Sequence, residues 1–319
     1  MLFKQVSIND VSAITNLWNR NIGHDFPISE SLMAQNSFHD ENIEQTASIA
    51  AWDGNKLVGI IFAKRFKEGY GLGFNKEVGW IQLLLVDKFY RQKGIGTKLL
   101  ERALNHFKQL GIKKVHLGRD VWHYFPGIPA QYNETIHWFE KKGFIRGDYT
   151  DVDLVRHFTE DHSKEKETLK NSDAQFSVLN IKDKDKLLAF LKDAFPGRWE
   201  YEAIKYFELG GTGSDYVVYW MNDEIKGFCR MNNEYTPFTG ANRNWSLLFQ
   251  GKSGGIGPLG IHQSARKSGL GLDIVKYAIN TLYDRGCRHI VIDWTGLISF
   301  YEKVGFKVYK EYVPLSIDL

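Results

Sequence analysis

Two short segments of the 319-residue chain carry the same pattern of a basic residue and two glycines. The first covers residues 91–96 (RQKGIG), and the second covers residues 266–271 (RKSGLG), 175 positions later. Each follows an apolar run and opens an amphipathic helical pattern. A helix start with two glycines exposes backbone N–H groups that have no partner within the helix, and the helix dipole favours an anion there. Each segment therefore predicts a pyrophosphate-binding turn.

The sequence that follows each turn repeats at the same offset. Apolar residues recur at helical spacing and predict one buried stripe in each copy. A glycine then ends each helix, Gly111 in the first copy and Gly286 in the second. The matching stripes are Ile95, Leu99, Leu100, Ala103, Leu104 and Phe107 in the first copy, and Leu270, Ile274, Val275, Ala278, Ile279 and Leu282 in the second. This repetition indicates a duplicated domain.

The elements that must position these turns are strands and helices in alternation. Residues 47–52 and 56–64 predict a hairpin through Asp53 and Gly54, and further strands precede and follow each turn. The order predicts a mixed α/β sheet with a strand–helix–strand crossover in each copy. Residues 161–173 are almost wholly polar and mark a linker. We therefore expect two domains, at residues 1–165 and 174–319.

Composition excludes several other classes of protein. The net charge of +3 is small for this length and no block of lysine or arginine stands out, which argues against nucleic acid as a partner. No apolar run suits a signal peptide or a membrane span, so a cytoplasmic protein without a membrane partner is expected. The ten histidines and two cysteines show no metal-ligand spacing, and no metal is expected.

With the turns and helices in place, a second pair of segments completes a family pattern. Residues 300–306 read FYEKVGF, and residues 138–144 read WFEKKGF. Together with the two turns, these segments resemble the GNAT superfamily of acyl-CoA-dependent N-acyltransferases, whose turn has the pattern Arg or Gln, two residues, Gly, one residue, Gly or Ala. The resemblance covers both halves of the chain and indicates a tandem-domain member.

The resemblance implies a fold and a cofactor. Each domain is expected to hold a mixed, mostly antiparallel sheet flanked by helices, in which the strand before the turn splays from its neighbour and admits the pantetheine arm of acetyl-CoA (CoA). The strand residues implied are Leu84, Leu85 and Val86 in the first domain and Leu259, Gly260 and Ile261 in the second. The turn residues implied are Arg91, Gln92, Lys93, Gly94, Ile95, Gly96 and Thr97, and Arg266, Lys267, Ser268, Gly269, Leu270 and Gly271.

The two halves differ in the residues that could carry proton transfer. Many family members use a tyrosine of the second segment to protonate the departing thiolate. Tyr301 occupies that position, whereas the first half has Phe139. Tyr301 could also be an ordinary core residue. Asp293 is the candidate general base, although it could instead cap the turn that follows it.

The first half has further differences of its own. Tyr124 or Tyr132 could replace the acid missing there. Its turn carries Thr97 and Lys98 where the second has Leu272 and Asp273. A carboxylate beside a pyrophosphate is unfavourable, so we expect the first turn to hold CoA better.

These features predict an N-acetyltransferase that moves an acetyl group from acetyl-CoA to a primary amine of a small molecule or a peptide, with chemistry in the C-terminal domain. The alternative is a tandem protein that binds acetyl-CoA as a sensor without catalysis. A dinucleotide-dependent dehydrogenase is excluded because Leu99 and Ile274 stand where its third glycine would be. The sequence predicts neither the acceptor nor the oligomeric state.

Overall fold

The computed structural model describes residues 1–67, 69–159, 166–266 and 269–319. These residues form two compact units. The first unit comprises Met1–Gly69, Phe74–Asp151 and Glu311–Leu319, and the second comprises Tyr70–Gly73 and Val152–Lys310.

The strands and helices of the described ranges follow in chain order. The strands are β1 Leu2–Gln5, β2 Ile49–Asp53, β3 Lys56–Arg65, β4 Val78–Val86, β5 Lys114–Leu117, β6 Ile128–Pro129, β7 Ile145–Arg146, β8 Asp151–His157, β9 Gln175–Val178, β10 Tyr216–Met221, β11 Glu224–Asn232, β12 Ser253–Ile261, β13 His289–Thr295, β14 Lys307–Val313 and β15 Leu315–Asp318. The helices are α1 Val11–Ile22, α2 Glu30–Met33, α3 Ile95–Gln109, α4 Asn133–Lys141, α5 Lys184–Ala194, α6 Arg198–Glu208, α7 Leu270–Asp284 and α8 Ile298–Tyr301.

The first sheet has the strand order β1-β2-β3-β4-β5-β15-β7. Its ladders are antiparallel except the one between β4 and β5, which is parallel because α3 forms the crossover between them. The apolar stripe of α3, with Leu99 and Phe107 fully buried, packs on this sheet. Gly79 permits the close approach, since a Cβ there would lie 3.1 Å from the Phe107 ring.

The second sheet repeats this plan, with the order β6-β14-β8-β13-β12-β11-β10-β9. Its parallel pair is β12 and β13, and α7 is the crossover helix. Ile274, Ala278 and Leu282 on α7 are fully buried in the core of this unit. The structure thus confirms the prediction of two mixed, mostly antiparallel sheets flanked by helices.

The compact units differ in two strands from the domains expected at residues 1–165 and 174–319. Strand β15, at the end of the chain, pairs with β5 and β7 in the first sheet. Strand β8 pairs with β13 in the second sheet. A strand joins the sheet whose edge completes its hydrogen bonds and buries its apolar face, and neither requirement depends on closeness in sequence.

A buried charged cluster lies in the first unit beside β3. The side chain of Lys64 is fully buried, and its ammonium lies 2.7 Å from Asp40 Oδ2 and 2.8 Å from Asp120 Oδ2. It also donates to the carbonyl oxygen of Asn36 at 2.6 Å. Burial alone would lower the pKa of Lys64, but the two carboxylates raise it above its usual value. The ammonium therefore stays charged and compensates the carboxylates.

Replacing Lys64 with methionine should strongly destabilise the first unit. The substitution leaves Asp40 and Asp120 buried without their cation, which should cost about 3–5 kcal/mol of the free energy of unfolding. Lys56→Met is the matched control on the same strand, because Lys56 is half-exposed and pairs with Asp87 at 3.6 Å. That variant should lose less than about 1 kcal/mol. Urea denaturation measures both, and equal losses would contradict a stabilising role for the buried cluster.

Candidate active site

In the first unit, two parallel strands pair and then separate. The ladder of β4 and β5 runs from Val78 opposite Lys114 to Ile81 opposite Leu117. Beyond it, β4 stays paired with β3, and the register shift between Phe62 and Ala63 leaves Gln82 as an extra residue on β4. The separation leaves one side of β4 without a neighbouring strand.

A cleft of about 200 Å³ occupies this strand opening. The predicted residues Leu84, Leu85 and Arg91 line it, together with Phe139 from α4. Val86 ends the strand, and its carbonyl oxygen accepts a hydrogen bond from Arg91 Nε at 3.2 Å. The strand, the turn and the second family segment therefore meet at one cleft in this unit.

The turn of the first unit is open. Gly94 adopts a left-handed conformation with φ 77° at the start of α3, and Gln92 has φ 60°. Among the residues that the structure describes, the backbone N–H groups of Ile95, Gly96 and Thr97 have no acceptor. Free donors at a helix start suit a phosphate group. Lys93, on the turn itself, and Lys98, in the first turn of α3, are exposed and add positive charge.

The second unit has a strand opening of the same design. Strands β12 and β13 pair from Ser253 opposite His289 to Gly255 opposite Val291, and then separate. The register of β11 against β12 shifts between Cys229 and Met231, which leaves a bulge on β12. This bulge contains the cis peptide between Gly257 and Pro258.

The predicted strand residues Leu259, Gly260 and Ile261 follow this bulge, paired with β11. A Cβ at Gly260 would overlap the ring of Phe195. Glycine is therefore required there for packing.

The turn of the second unit resembles the first, although here the N–H of Leu272 donates to the carbonyl oxygen of Gly269 at 3.1 Å. Gly269 has φ 84° at the start of α7, and Arg266 Nε donates to the carbonyl oxygen of Ile261 at 3.0 Å. Leu270 is buried in the core, and Gly271 follows it in the first turn of the helix. The predicted residues Lys267 and Ser268 lie outside the described residues.

Asp273 is occupied by a contact that the sequence did not reveal. Its carboxylate accepts hydrogen bonds from the backbone N–H groups of Lys170 and Asn171, both at 2.9 Å. Burial would raise the pKa of Asp273, but these bonds lower it below its usual value. They also bring Lys170 beside the turn, where its Cδ would lie 3.8 Å from a Cβ on Gly269. Asp273 therefore anchors the segment that precedes β9.

The candidate acid and base of the second unit lie close together. Tyr301 on α8 is 5% exposed, and burial together with the nearby Cys229 and Asp293 raises the pKa of its hydroxyl. The last residue of β13 that pairs with β12 is Val291, and Asp293 lies two positions after it. One of its oxygens would lie 3.8 Å from a Cβ on Gly257. The Asp293 carboxylate therefore lies at the bulge of the strand opening, and Tyr301 lies within range of its charge.

The surroundings of Asp293 raise its pKa to about 6. The largest cause is its removal from water, and the negative charge of Glu202 acts in the same direction. Arg198 and a hydrogen bond from Asn242 act in the opposite direction. A carboxylate with this pKa accepts protons effectively near neutral pH.

The first unit has neither group at the corresponding positions. The matching registers of the parallel strands place Gly118 where the second unit has Asp293. A Cβ at Gly118 would overlap the carbonyl oxygen of Phe125, so that position admits no side chain. The 175-residue offset could have revealed this glycine from the sequence. Arg198, Glu202 and Asn242 carry no comparable sequence signal, because they come from separate elements.

The two tyrosines considered as replacement acids differ in position. Tyr124 is buried, and its hydroxyl lies 2.9 Å from that of Ser37. Tyr132 lines the cleft of the first unit and donates to Asp25 Oδ2 at 2.9 Å. Tyr132 is therefore the one of the two that reaches the cleft.

The described ranges hold neither a metal-binding cluster nor a membrane-crossing helix. They contain no cluster of three or more histidine, cysteine, aspartate or glutamate residues that could hold a metal ion. They also contain no helix whose length and apolar character would allow it to cross a membrane.

Several solved structures are similar to this chain in fold. A glucosamine N-acetyltransferase region of a fungal multi-domain β-N-acetylglucosaminidase matches 99% of the chain at 25% identity and a TM-score of 0.85. The present chain spans 38% of that fungal chain.

Two more distant structures share the fold over nearly their whole length. A GCN5-related N-acetyltransferase from Sphaerobacter thermophilus matches 99% of this chain and 95% of its own, at 16% identity and a TM-score of 0.70. A tandem GNAT protein of clavulanic acid biosynthesis matches 99% of this chain and 98% of its own, at 14% identity and a TM-score of 0.68.

Comparison at the level of sequence gives two results. No curated protein sequence matches the chain. The profile of the acetyltransferase (GNAT) family matches it twice, at residues 11–126 and 184–306. These matches cover most of both halves, and each includes the turn and the paired strands described above. The chain therefore belongs to the acetyltransferase (GNAT) family and carries two GNAT-like units in tandem.

Proposed function

We propose that the protein is an N-acetyltransferase that transfers the acetyl group of acetyl-CoA to a primary amine, with the chemistry in the second unit. One observation carries this proposal. Asp293 lies at the strand opening of the second unit with Tyr301 within range of its charge, whereas Gly118 and Phe139 occupy the corresponding positions in the first. Only the second unit thus combines a carboxylate with a phenol at these positions.

The residues of the second unit fit acetyl-CoA as a substrate. The backbone of Leu259–Ile261 is placed to hold the amides of the pantetheine arm, and Gly269 and Gly271 are placed to leave room for its pyrophosphate. Acetyl-CoA supplies the thioester that the amine attacks. Asp293 removes a proton from the amine nitrogen as the C–N bond forms, and Tyr301 donates its proton to the sulfur as the C–S bond breaks. The products are an amide and the free thiol.

For the acceptor, we propose an amino sugar such as glucosamine. The support is the similarity to the fungal glucosamine N-acetyltransferase region over 99% of this chain. Asp293 and Arg198 agree with a polyhydroxylated amine, because a carboxylate and a partly exposed guanidinium can both form hydrogen bonds with hydroxyl groups. The indole of Trp294 is half-buried beside them, with the Arg198 guanidinium 4.7 Å from its ring. Peptides and other amines are the comparison acceptors in any assay.

For the first unit, we propose CoA binding without transfer. Its cleft and its open turn remain, but the two proton-transferring groups are missing. The better-charged turn, with Lys93 and Lys98, favours tight binding there. A cytoplasmic location stays a prediction. The competing function is a sensor in which neither unit transfers the acetyl group.

Removing the hydroxyl of Tyr301 should slow acetyl transfer. Tyr301→Phe and Asp293→Asn should each lower kcat about 100-fold or more, since a positioned acid or base contributes about 10²–10⁴-fold. CoA release from acetyl-CoA in the presence of glucosamine, other amines, amino acids or peptides measures the rate. Tyr235→Phe is the control, because Tyr235 is 76% exposed. Full activity of Tyr301→Phe combined with loss in Tyr132→Phe would place the reaction in the first unit.

The rate should depend on pH through Asp293. A general base works only when ionised, so kcat/KM for the amine should fall as the pH drops through about 6, the pKa that burial and Glu202 give this carboxyl. The fall should approach tenfold for each pH unit below that value. A profile of kcat/KM between pH 4.5 and 8, with the ionisation of the free amine subtracted, tests this. A profile that stays flat down to pH 4.5 would contradict the assignment.

The two turns should be separable by substitution. Gly94→Val places a β-branched residue at φ 77°, which should abolish CoA binding in the first unit but leave transfer intact. Gly269→Val, at φ 84°, should abolish transfer. Isothermal titration should find two CoA molecules for each wild-type chain and one for each variant.

If no amine is acetylated while acetyl-CoA still raises the melting temperature, the sensor function is correct.

A further inference from the structure

A chain of buried polar side chains runs behind Asp293 in the second unit. Arg198 Nε donates to Glu202 at 2.8 Å, and Arg230 contacts the other oxygen of Glu202 at 3.4 Å. Arg230 also donates to Asn232 Oδ1 at 3.1 Å, and Asn232 Nδ2 donates to Asn242 Oδ1 at 3.0 Å. We call these five residues the Glu202 network. It links helix α6, strand β11 and the turn that contains Asn242.

This network is costly to bury. Arg230 is 2% exposed and Asn232 is 1% exposed, and Arg230 Nε has no hydrogen-bond partner among the described residues. Apolar side chains of similar volume would stabilise the fold as well or better. A buried charged network that is expensive for stability suggests a role in the site that it adjoins.

The network ends at Asp293. Asn242 donates to the carbonyl oxygen of Gly257 at 3.4 Å and to the Asp293 carboxylate. A Cβ at Gly255 would overlap the Asn242 side chain, so β12 keeps this space free for the amide. The amide therefore holds the carboxylate at the strand opening.

The charges of α6 act on the same carboxylate. Arg198 and Glu202 both influence Asp293, and Glu202 is itself held between Arg198 and Arg230. Tyr301, at the end of α8, lies within range of the Asp293 charge. Trp294 follows Asp293 in the chain, and its backbone N–H donates to Asp153 Oδ1, on β8, at 3.0 Å. Glu202 is thus the acidic group on α6 that influences Asp293.

The first unit provides an internal comparison. Strands β3 and β11 can be aligned by their pairing, because Ala63 lies opposite Ile81 in the first unit and Met231 lies opposite Ile256 in the second. By this alignment Phe62 stands in the place of Arg230, and Lys64 stands in the place of Asn232. The unit that lacks the carboxylate of Asp293 therefore also lacks the network, although both units keep the strand opening.

We propose that the Glu202 network orients the Asp293 carboxylate and fixes the charge around it, which makes Asn242 and Glu202 positioning residues for acetyl transfer. The inference rests on the proposed function of the second unit. It predicts that removing and adding a negative charge at these two positions have opposite effects on the ionisation of the base.

Two nearly isosteric substitutions test this. Glu202→Gln removes a negative charge near Asp293 and should move the acidic limb of the kcat/KM profile down by about one pH unit, because the ionised carboxylate is then easier to form. Asn242→Asp replaces a donor with a second carboxylate and should move the limb up by about one unit. Glu208→Gln, on the same helix with a half-exposed side chain, should leave the profile unchanged. A merely structural role would lower activity without moving the limb.

A second measurement covers variants with little activity. Titration of carboxyl-¹³C aspartate by NMR, with Asp293→Asn to assign the resonance, reports the ionisation of Asp293 directly. Unchanged titration in both Glu202→Gln and Asn242→Asp would overturn the positioning inference alone. Full transferase activity of Asp293→Asn would overturn the proposed function instead. Circular dichroism of each variant establishes that it is folded.

Discussion

The separation of two parallel strands is the constraint on which the rest of each unit depends. Strands β4 and β5 pair over four positions and strands β12 and β13 over three, and then each pair diverges. A bulge on the inner strand starts the divergence, so that its backbone groups lose a neighbour on one side. Unpaired backbone groups must find partners elsewhere, and a substrate rich in amides can supply them. The turn and helix that follow place positive charge at the end of the same opening.

The same scaffold carries different side chains at matching positions of its two copies. At one strand position the second unit has Asp293, whereas the first has Gly118, whose surroundings leave no room for a side chain. Likewise, Tyr301 of the second unit has a hydroxyl, and Phe139 of the first unit has none. The buried charges also differ, because Lys64 neutralises two aspartates in the first unit while Glu202 lies between two arginines in the second. Both units keep the backbone geometry, and the second unit has a carboxylate and a phenol where the first has a glycine and a phenylalanine.

Much of this organisation was predictable from local pattern. Helical spacing of apolar residues predicted α3 and α7, and the glycine pairs predicted the turns that open these helices at Gly94 and Gly269. The repeat predicted two sheets of one design. Asp273 was open to misinterpretation, because a carboxylate beside a phosphate turn suggests repulsion, while the structure shows it bound to Lys170 and Asn171. Its partners lie about a hundred positions away, beyond the reach of any local pattern.

The sequence by itself determined the family, the duplication, the two turns and the difference between Tyr301 and Phe139, because these depend on residue type at fixed local spacing. Only the tertiary structure decided the sheets that β8 and β15 join, the cleft that Tyr132 reaches and the groups that surround Asp293. The physical reason is that strand pairing, burial and charge interactions act through space. Asn242 and Glu202 lie 51 and 91 positions from Asp293 in sequence, yet both influence how readily that carboxylate ionises.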